Sequence, residues 1–280
     1  MNDHRLTPEK IAAYALYLRR EEHAPGTIEK YLRDIRAFSA WTEGGGVTQE
    51  LAAEWKGHLL STGHAPETVN SMLAALNSLF RFLGWGIRIK FLKIQRRMFR
   101  DQSRELTKEE FDRLVSTARA AGKERTALLL ETMGGTGIRV SEVQYITVEA
   151  ARQGRTEIAL KGKIRVILLT NKLCRKLLKY ARKNKIASGE IFITRSGKGM
   201  SRRQIWAEMK SLCKAAGVAP KKVYPHNLRH LFARMFYKSC KDIARLADVL
   251  GHSSIDTTRI YLVTTGAEHT RQLERLGLVS

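Results

Sequence analysis

Between residues 136 and 261 lie four short segments whose side chains suit the handling of a phosphodiester. Thr136-Gly137-Ile138-Arg139-Val140-Ser141-Glu142 sets Arg139 at a turn entering a helix. Pro225-His226-Asn227-Leu228-Arg229-His230 sets His226 and Arg229 three residues apart, on one helix face. Leu250-Gly251-His252 ends one helix and leads into the next, and Tyr261 follows nine residues after His252. The turn Lys161-Gly162-Lys163 adds cations. A phosphoryl transition state spreads negative charge over nonbridging oxygens, and guanidinium forks match that shape. Imidazoles donate or accept protons, and a phenol flanked by cations can attack. Each residue alone also has an ordinary alternative. An Arg caps a helix or sits on the surface, a His hydrogen-bonds in a core, and a Tyr packs.

Other chemistries lack their residues. There is no P-loop signature, no His-Glu-x-x-His pair, no Cys/His set of zinc spacing and no paired aspartates. Gly134-Gly135-Thr136-Gly137 is glycine-rich but lacks the phosphate-loop lysine, and it reads as a turn. Two-metal nucleases need grouped carboxylates to hold their ions, and the basic half has few. Phosphodiester cleavage here would rest on cationic side chains, with no metal and no cofactor. Cys174, Cys213 and Cys240 are far apart and odd in number, which fits a reducing cytosol better than a disulfide framework.

The elements that must position these residues follow from charge and periodicity. The 280 residues carry a formal charge of +23. Residues 1–90 hold 11 basic and 10 acidic side chains, so nearly all the excess lies beyond them. Two parts with such different fields read as two domains, and a polyanion is the expected partner of the second. Nucleic acid leads, ahead of an anionic membrane surface, because no basic amphipathic helix with an aromatic face stands out. No apolar run reaches membrane-spanning length and the start has no signal-peptide core, so a cytoplasmic location is expected.

The first part repeats itself: His23-Ala24-Pro25-Gly26-Thr27-Ile28 returns as His64-Ala65-Pro66-Glu67-Thr68-Val69. Ile28, Tyr31, Ile35, Phe38 and Trp41 fall at helical spacing, as do Val69, Met72, Leu76, Leu79 and Leu83. Two helical hairpins over residues 1–87 are predicted, with Thr7, Thr27 and Thr68 as helix caps. Residues 88–105 read as a basic linker containing Arg96, Arg97 and Arg100. Residues 106–280 form the second domain, opened by the capping box Thr107-Lys108-Glu109-Glu110. Strands are predicted at 157–160, 164–169 and 191–193, and a second capping box, Ser201 to Gln204, starts another helix. Phosphate contacts are expected from Lys163, Arg165, Arg202, Arg203, Lys221 and Lys222, besides the linker arginines. Glu142 either orients Arg139 or sits as a solvated charge. The fold class is mainly α with a small antiparallel β-sheet.

The ordered set of motifs resembles the tyrosine recombinase (phage integrase) family: an Arg within Thr-Gly-x-Arg-x-Ser-Glu, a hairpin Lys, His-x-x-Arg, then Leu-Gly-His and a Tyr. The resemblance runs from 139 to 261, and the helical first domain resembles the family's SAM-like core-binding domain. It implies a site-specific recombinase with catalytic Arg139, Lys161, His226, Arg229, His252 and Tyr261. Tyr261 would attack the phosphodiester and form a 3′-phosphotyrosyl link, with Lys161 as the general acid for the 5′ oxygen. One departure is Leu231, where the family often has Thr. The implied partners are double-stranded DNA with core sites, further copies of the chain in dimers and tetramers, and helper DNA-bending proteins. The helical part opens near residue 5, which leaves no room ahead for an extra arm-binding domain. A compact mobile-element integrase is the expectation. A Xer-type chromosome resolvase, a type IB topoisomerase-like enzyme and a non-catalytic DNA-binding protein are the alternatives. The tail, 262–280, is expected to dock its apolar residues on its own domain or on a neighbouring copy.

Overall fold

A computed structural model of the chain describes residues 4–94, 102–160, 163–252, 254–261 and 274–275. It divides into two compact units, Met1–Arg96 and Arg97–Ser280, each with its own hydrophobic core.

The first unit holds helices α1 (Pro8–Arg20), α2 (Pro25–Trp41), α3 (Gln49–Ser61) and α4 (Pro66–Phe82). Thr7 caps α1 and Thr48 caps α3, each accepting a backbone N–H three residues on. Thr27 and Thr68, expected as caps, instead lie within the first turns of α2 and α4. Ala24 and Ala65 hold the cap positions without a side-chain bond. Proline starts these helices itself, because its φ is already helical and the N–H it lacks would find no partner there. The two apolar stripes meet in the core: Ile28, Ile35 and Phe38 of α2 are buried with Val69, Leu76 and Leu79 of α4.

Beyond α4 the chain is fastened by three side-chain amides. Gln49 exchanges hydrogen bonds of 3.0 and 3.2 Å with the backbone N–H and C=O of Arg88. Asn77 does so with Ile89, at 2.9 Å both ways. Asn70 does so with Leu92, at 2.8 and 2.9 Å. Each amide offers one donor and one acceptor, as a neighbouring strand would. Residues 88–92, read from charge alone as the start of a linker, are therefore tied to α3 and α4.

The second unit contains α5 (Lys108–Ala120), α6 (Glu124–Thr136), a 3₁₀ turn (Val140–Tyr145) and α7 (Val148–Gln153). A hairpin of β1 (Arg155–Leu160) and β2 (Lys163–Leu168) follows, then α8 (Asn171–Lys183) and α9 (Arg202–Lys210). Helices α10 (Pro225–Cys240), α11 (Ile243–Leu250) and α12 (Ile255–Arg259) come last. Both expected capping boxes are formed, at Thr107 with Glu110 and at Ser201 with Gln204. The strands are antiparallel, with Leu160 opposite Lys163. Along β2 the side chains alternate: Ile167 is buried while Val166 and Leu168 are exposed. Arg165 has the inward parity. No helix among the described residues is long and apolar enough to cross a membrane.

Two local expectations differ from the structure. Residues 191–193 make only an isolated bridge between Ile193 and Gly199, and the Ile191 N–H bonds instead to the Ile146 carbonyl while Ile191 and Phe192 enter the core. The glycines at 134 and 135 are helical, and α6 stops only at Gly137, at φ 65°. A Cβ at Gly134 would stand 2.7 Å from the ring of Phe111, and one at Gly137 2.4 Å from that of Phe232. These glycines let two aromatic rings lie against the helix, and the left-handed Gly137 turns the chain toward Arg139.

Candidate active site

Arg229 is the hub of the site. It lies in the second turn of α10, three residues after His226, and its side chain is only 2 % exposed. One Nη donates to the carbonyl of Gly137 at 2.7 Å, and the other to the carbonyl of Leu250 at 2.7 Å. The latter also meets His252 Nε2 at 2.9 Å, while Nε donates to the Tyr261 hydroxyl at 3.4 Å. One guanidinium thus touches the end of α6, the end of α11, the histidine beyond it and the tyrosine. A buried guanidinium needs such a full set of acceptors.

His252 follows Gly251, the left-handed cap of α11 at φ 63°. Its pKa is pushed down to about 4, first by burial and then by Arg229, Arg139, Arg165 and His226. The ring is therefore neutral at neutral pH. Because Arg229 only donates, Nε2 must accept, and the proton sits on Nδ1. From there it reaches Thr258 Oγ1 at 2.8 Å. Thr258 is fully buried in α12; it was not singled out in the sequence, and its hydroxyl accepts from the Nδ1 that Arg229 leaves protonated.

Tyr261 is 2 % exposed and packs with Ala233, Leu246 and Leu250. The His252 ring stacks on it at 5.6 Å and 10° between planes. His230 meets it edge-on at 4.5 Å, and His226 lies 6.1 Å away by ring centroids. His226 also contacts His230, at 4.5 Å. Desolvation first, then Arg229 and Arg139, lowers the pKa of His226, so this ring too favours its neutral form.

Arg139 caps the 3₁₀ turn, and its side chain is 42 % exposed. Glu142 decides its direction. The carboxylate is 2 % exposed, accepts the Arg139 backbone N–H at 2.7 Å and pairs with Arg139 Nη1 at 2.9 Å. Of the two sequence readings of Glu142, the structure has the orienting one. Glu142 also pairs with Arg165 at 2.9 and 3.1 Å. Arg165 was expected on the phosphate-facing surface. It is instead 9 % exposed and donates onward to the carbonyl of Val249 at 2.9 Å. The signal that finds it is parity: it shares the inward face of β2 with Ile167.

The remaining residues singled out from the sequence are dispersed. Arg202 and Arg203 are exposed at the start of α9. Lys221 is exposed and donates to Ser103 at 3.3 Å. Lys222 is pinned by Glu110 at 2.7 Å and is 17 % exposed, so an acidic partner already holds it. Lys161, Arg96, Arg97 and Arg100 lie outside the described residues, as do the Lys163 side chain and, apart from 274–275, the tail. Among the described residues, no three His, Cys, Asp or Glu side chains converge to hold a metal ion.

Residues 104–267 match the phage integrase family, and residues 11–86 match the phage integrase N-terminal SAM-like domain. The tyrosine recombinase XerA of Thermococcus kodakarensis is 30 % identical over 273 residues, covering 95 % of this chain and 94 % of that protein. The tyrosine recombinase XerD of Brucella suis is 32 % identical over 269 residues, covering 85 % and 86 %. In fold, the chain is similar to the XerH site-specific recombinase, solved on a palindromic difH substrate in a post-cleavage complex. The TM-score is 0.73 at 19 % identity, over 90 % of this chain and 79 % of that one.

Proposed function

Because the chain belongs to the phage integrase family of tyrosine recombinases, we propose that Tyr261 is the nucleophile of its site-specific DNA recombination. Arg139, Arg229, His226 and His252 surround the scissile phosphate. The observation that carries this is the contact of one buried guanidinium, Arg229, with both His252 and the Tyr261 hydroxyl.

Tyr261 Oη attacks phosphorus and forms a 3′-phosphotyrosyl bond, while the bond to the 5′ oxygen breaks. The phenolic proton passes to a neutral imidazole, either His226 or His252 once Arg229 turns from its Nε2 to the phosphate. The 5′ oxygen leaves as a hydroxyl with a proton from Lys161, which lies between β1 and β2 in the sequence. Arg139 and Arg229 bind the nonbridging oxygens, where charge grows in the transition state. Reversal by a 5′ hydroxyl of another strand rejoins the DNA. The bond energy stays in the phosphotyrosyl link, so the cycle uses no nucleotide and no metal.

Away from the site, Arg202, Arg203 and Lys221 contact phosphates. Cations in the first turn of α9 oppose its dipole, so folding alone gives no reason for Arg202 and Arg203. Several copies of the chain act together on DNA, with the tail as the linking segment and with helper DNA-bending proteins on some sites. The cellular setting is a mobile element or a Xer-type resolution system. The curated relatives named XerA and XerD favour the latter, and the basic excess supports the former. Sequencing DNA beside the gene separates them: inverted core sites flanking it mark an element, and a lone unlinked site marks resolution.

The chemical reading is tested on a nicked suicide duplex in EDTA. Tyr261→Phe should keep DNA binding and abolish the protein–DNA complex that survives denaturing gels. A denaturation-stable complex with the Phe variant, or a requirement for added magnesium, contradicts the assignment.

A further inference from the structure

Arg165 belongs to none of the motifs that carry the recombination chemistry, yet it is tied to two of them. Its Nη1 pairs with both oxygens of Glu142, the carboxylate that orients Arg139. Its Nη2 donates to Val249, three residues before His252. Its Nε is buried without a hydrogen-bond partner among the described residues. Gly251 makes the passage possible, since a Cβ there would lie 2.4 Å from Arg165 Cδ. Burying an arginine and leaving one of its donors unbonded is costly. A hairpin needing only an anchor would be served better by an apolar side chain beside Ile167.

The charges explain the arrangement. Arg139 and Glu142 alone make a neutral pair, and a buried carboxylate bonded to one guanidinium draws that guanidinium inward. A second guanidinium on the same carboxylate divides its pull and leaves the trio with one net positive charge. We propose that Arg165 is a positioning residue for recombination: by sharing Glu142, it keeps the Arg139 guanidinium turned outward and its charge available to the scissile phosphate. This rests on the assignment of Arg139 to the phosphate in the reading above.

The test measures single-turnover formation of covalent complex on the nicked duplex at saturating protein, with duplex affinity measured separately. Arg165→Met makes the trio neutral and should slow cleavage by about 10²-fold, with affinity changed less than about threefold because other phosphate contacts remain. Arg165→Lys keeps the charge but offers one nitrogen where two are used, and should fall between parent and Met variant. The double variant Arg165→Met, Glu142→Gln restores one net positive charge and should recover about tenfold or more over Arg165→Met. A purely structural anchor gives no such recovery, since the Val249 bond stays lost. Cleavage by Arg165→Met within threefold of the parent, or no recovery in the double variant, overturns the proposal. If Arg165→Met does not fold, the double variant, which buries no unmatched carboxylate, is compared with the parent directly. A loss there beyond about tenfold overturns the proposal, and a smaller loss upholds it. Tyr261→Phe in the same assay separates the two readings: a covalent complex there defeats the nucleophile assignment, whereas its absence beside a fully active Arg165→Met defeats only the role of Arg165.

Discussion

Arg139 and Arg229, both proposed to bind the scissile phosphate, sit in opposite structural situations, and their substitutions should differ accordingly. Arg139 is 42 % exposed and, among the described residues, its side chain bonds no backbone carbonyl. Arg139→Ala should therefore lower cleavage by roughly 10³-fold with little change in stability. Arg229→Ala should lower cleavage at least as much. It also leaves the carbonyls of Gly137 and Leu250 without their buried donor, at about 1–3 kcal/mol each. Cleavage assays paired with thermal melts check this, and equal stability of the two variants would contradict it. The neutral histidines make a second residue-scale prediction. An unfolded histidine titrates near 6.5, whereas His252 in the fold titrates at about 4, and His226 is shifted the same way. Between those values the unfolded chain binds more protons, so stability rises with pH across the window and is lost as pH falls through it. Melting temperature should drop between pH 6.5 and 4, and the drop should be shallower in His252→Gln. Parallel profiles for the two proteins would contradict a depressed His252.

At the scale of elements, the amide clamp on residues 88–92 controls where free chain can begin after α4. Asn70→Ala with Asn77→Ala removes four hydrogen bonds, each worth about 1 kcal/mol. The backbone N–H groups of Ile89 and Leu92 should then exchange with deuterium far faster, and trypsin should cut sooner at Arg88 and Lys90. Unchanged exchange at both positions would show that Leu92 and Ile89 are held by packing instead. None of this clamp is periodic. The amides reach their partners across 12 to 39 residues of sequence, which no local pattern displays, so the run of basic residues makes the segment read as a linker. The helices were legible because burial repeats every 3.6 residues, and both capping boxes because their pairs are three residues apart. Arg139, Arg229, His252 and Tyr261 were legible as spaced motifs, although nothing in spacing shows that one guanidinium touches the other two. Arg165 was misread because a lysine- and arginine-rich stretch looks uniformly solvated. Its parity with Ile167 was the overlooked clue. Thr258 left no trace at all, since a threonine that accepts from an imidazole looks like any other helix residue.

For the whole molecule, the +23 charge is the property that matters. Part of the basic stretch is consumed internally: Lys176 pairs with Glu131, Lys183 with Glu124 and Lys222 with Glu110. Arg202, Arg203 and Lys221 have no such acidic partner among the described contacts, and with other exposed cations they leave ample charge for a duplex. Non-covalent binding should weaken linearly in log–log form as salt rises, with a slope of about −0.9 for each phosphate neutralised. Arg202→Ala with Arg203→Ala should make that slope shallower by about 2 without changing the first-order cleavage step. A slope that does not change would remove α9 from the DNA-facing surface.

The central claim is that Tyr261 becomes covalently joined to DNA. The nicked duplex is cleaved to completion, the complex is digested with protease and nuclease, and the residual nucleotide is located by tandem mass spectrometry. The expected product is a 3′-nucleotide phosphodiester on the phenol of Tyr261 and on no other residue. A nucleotide on any other side chain, or cleaved DNA released with a free 3′ phosphate and no adduct, would contradict it.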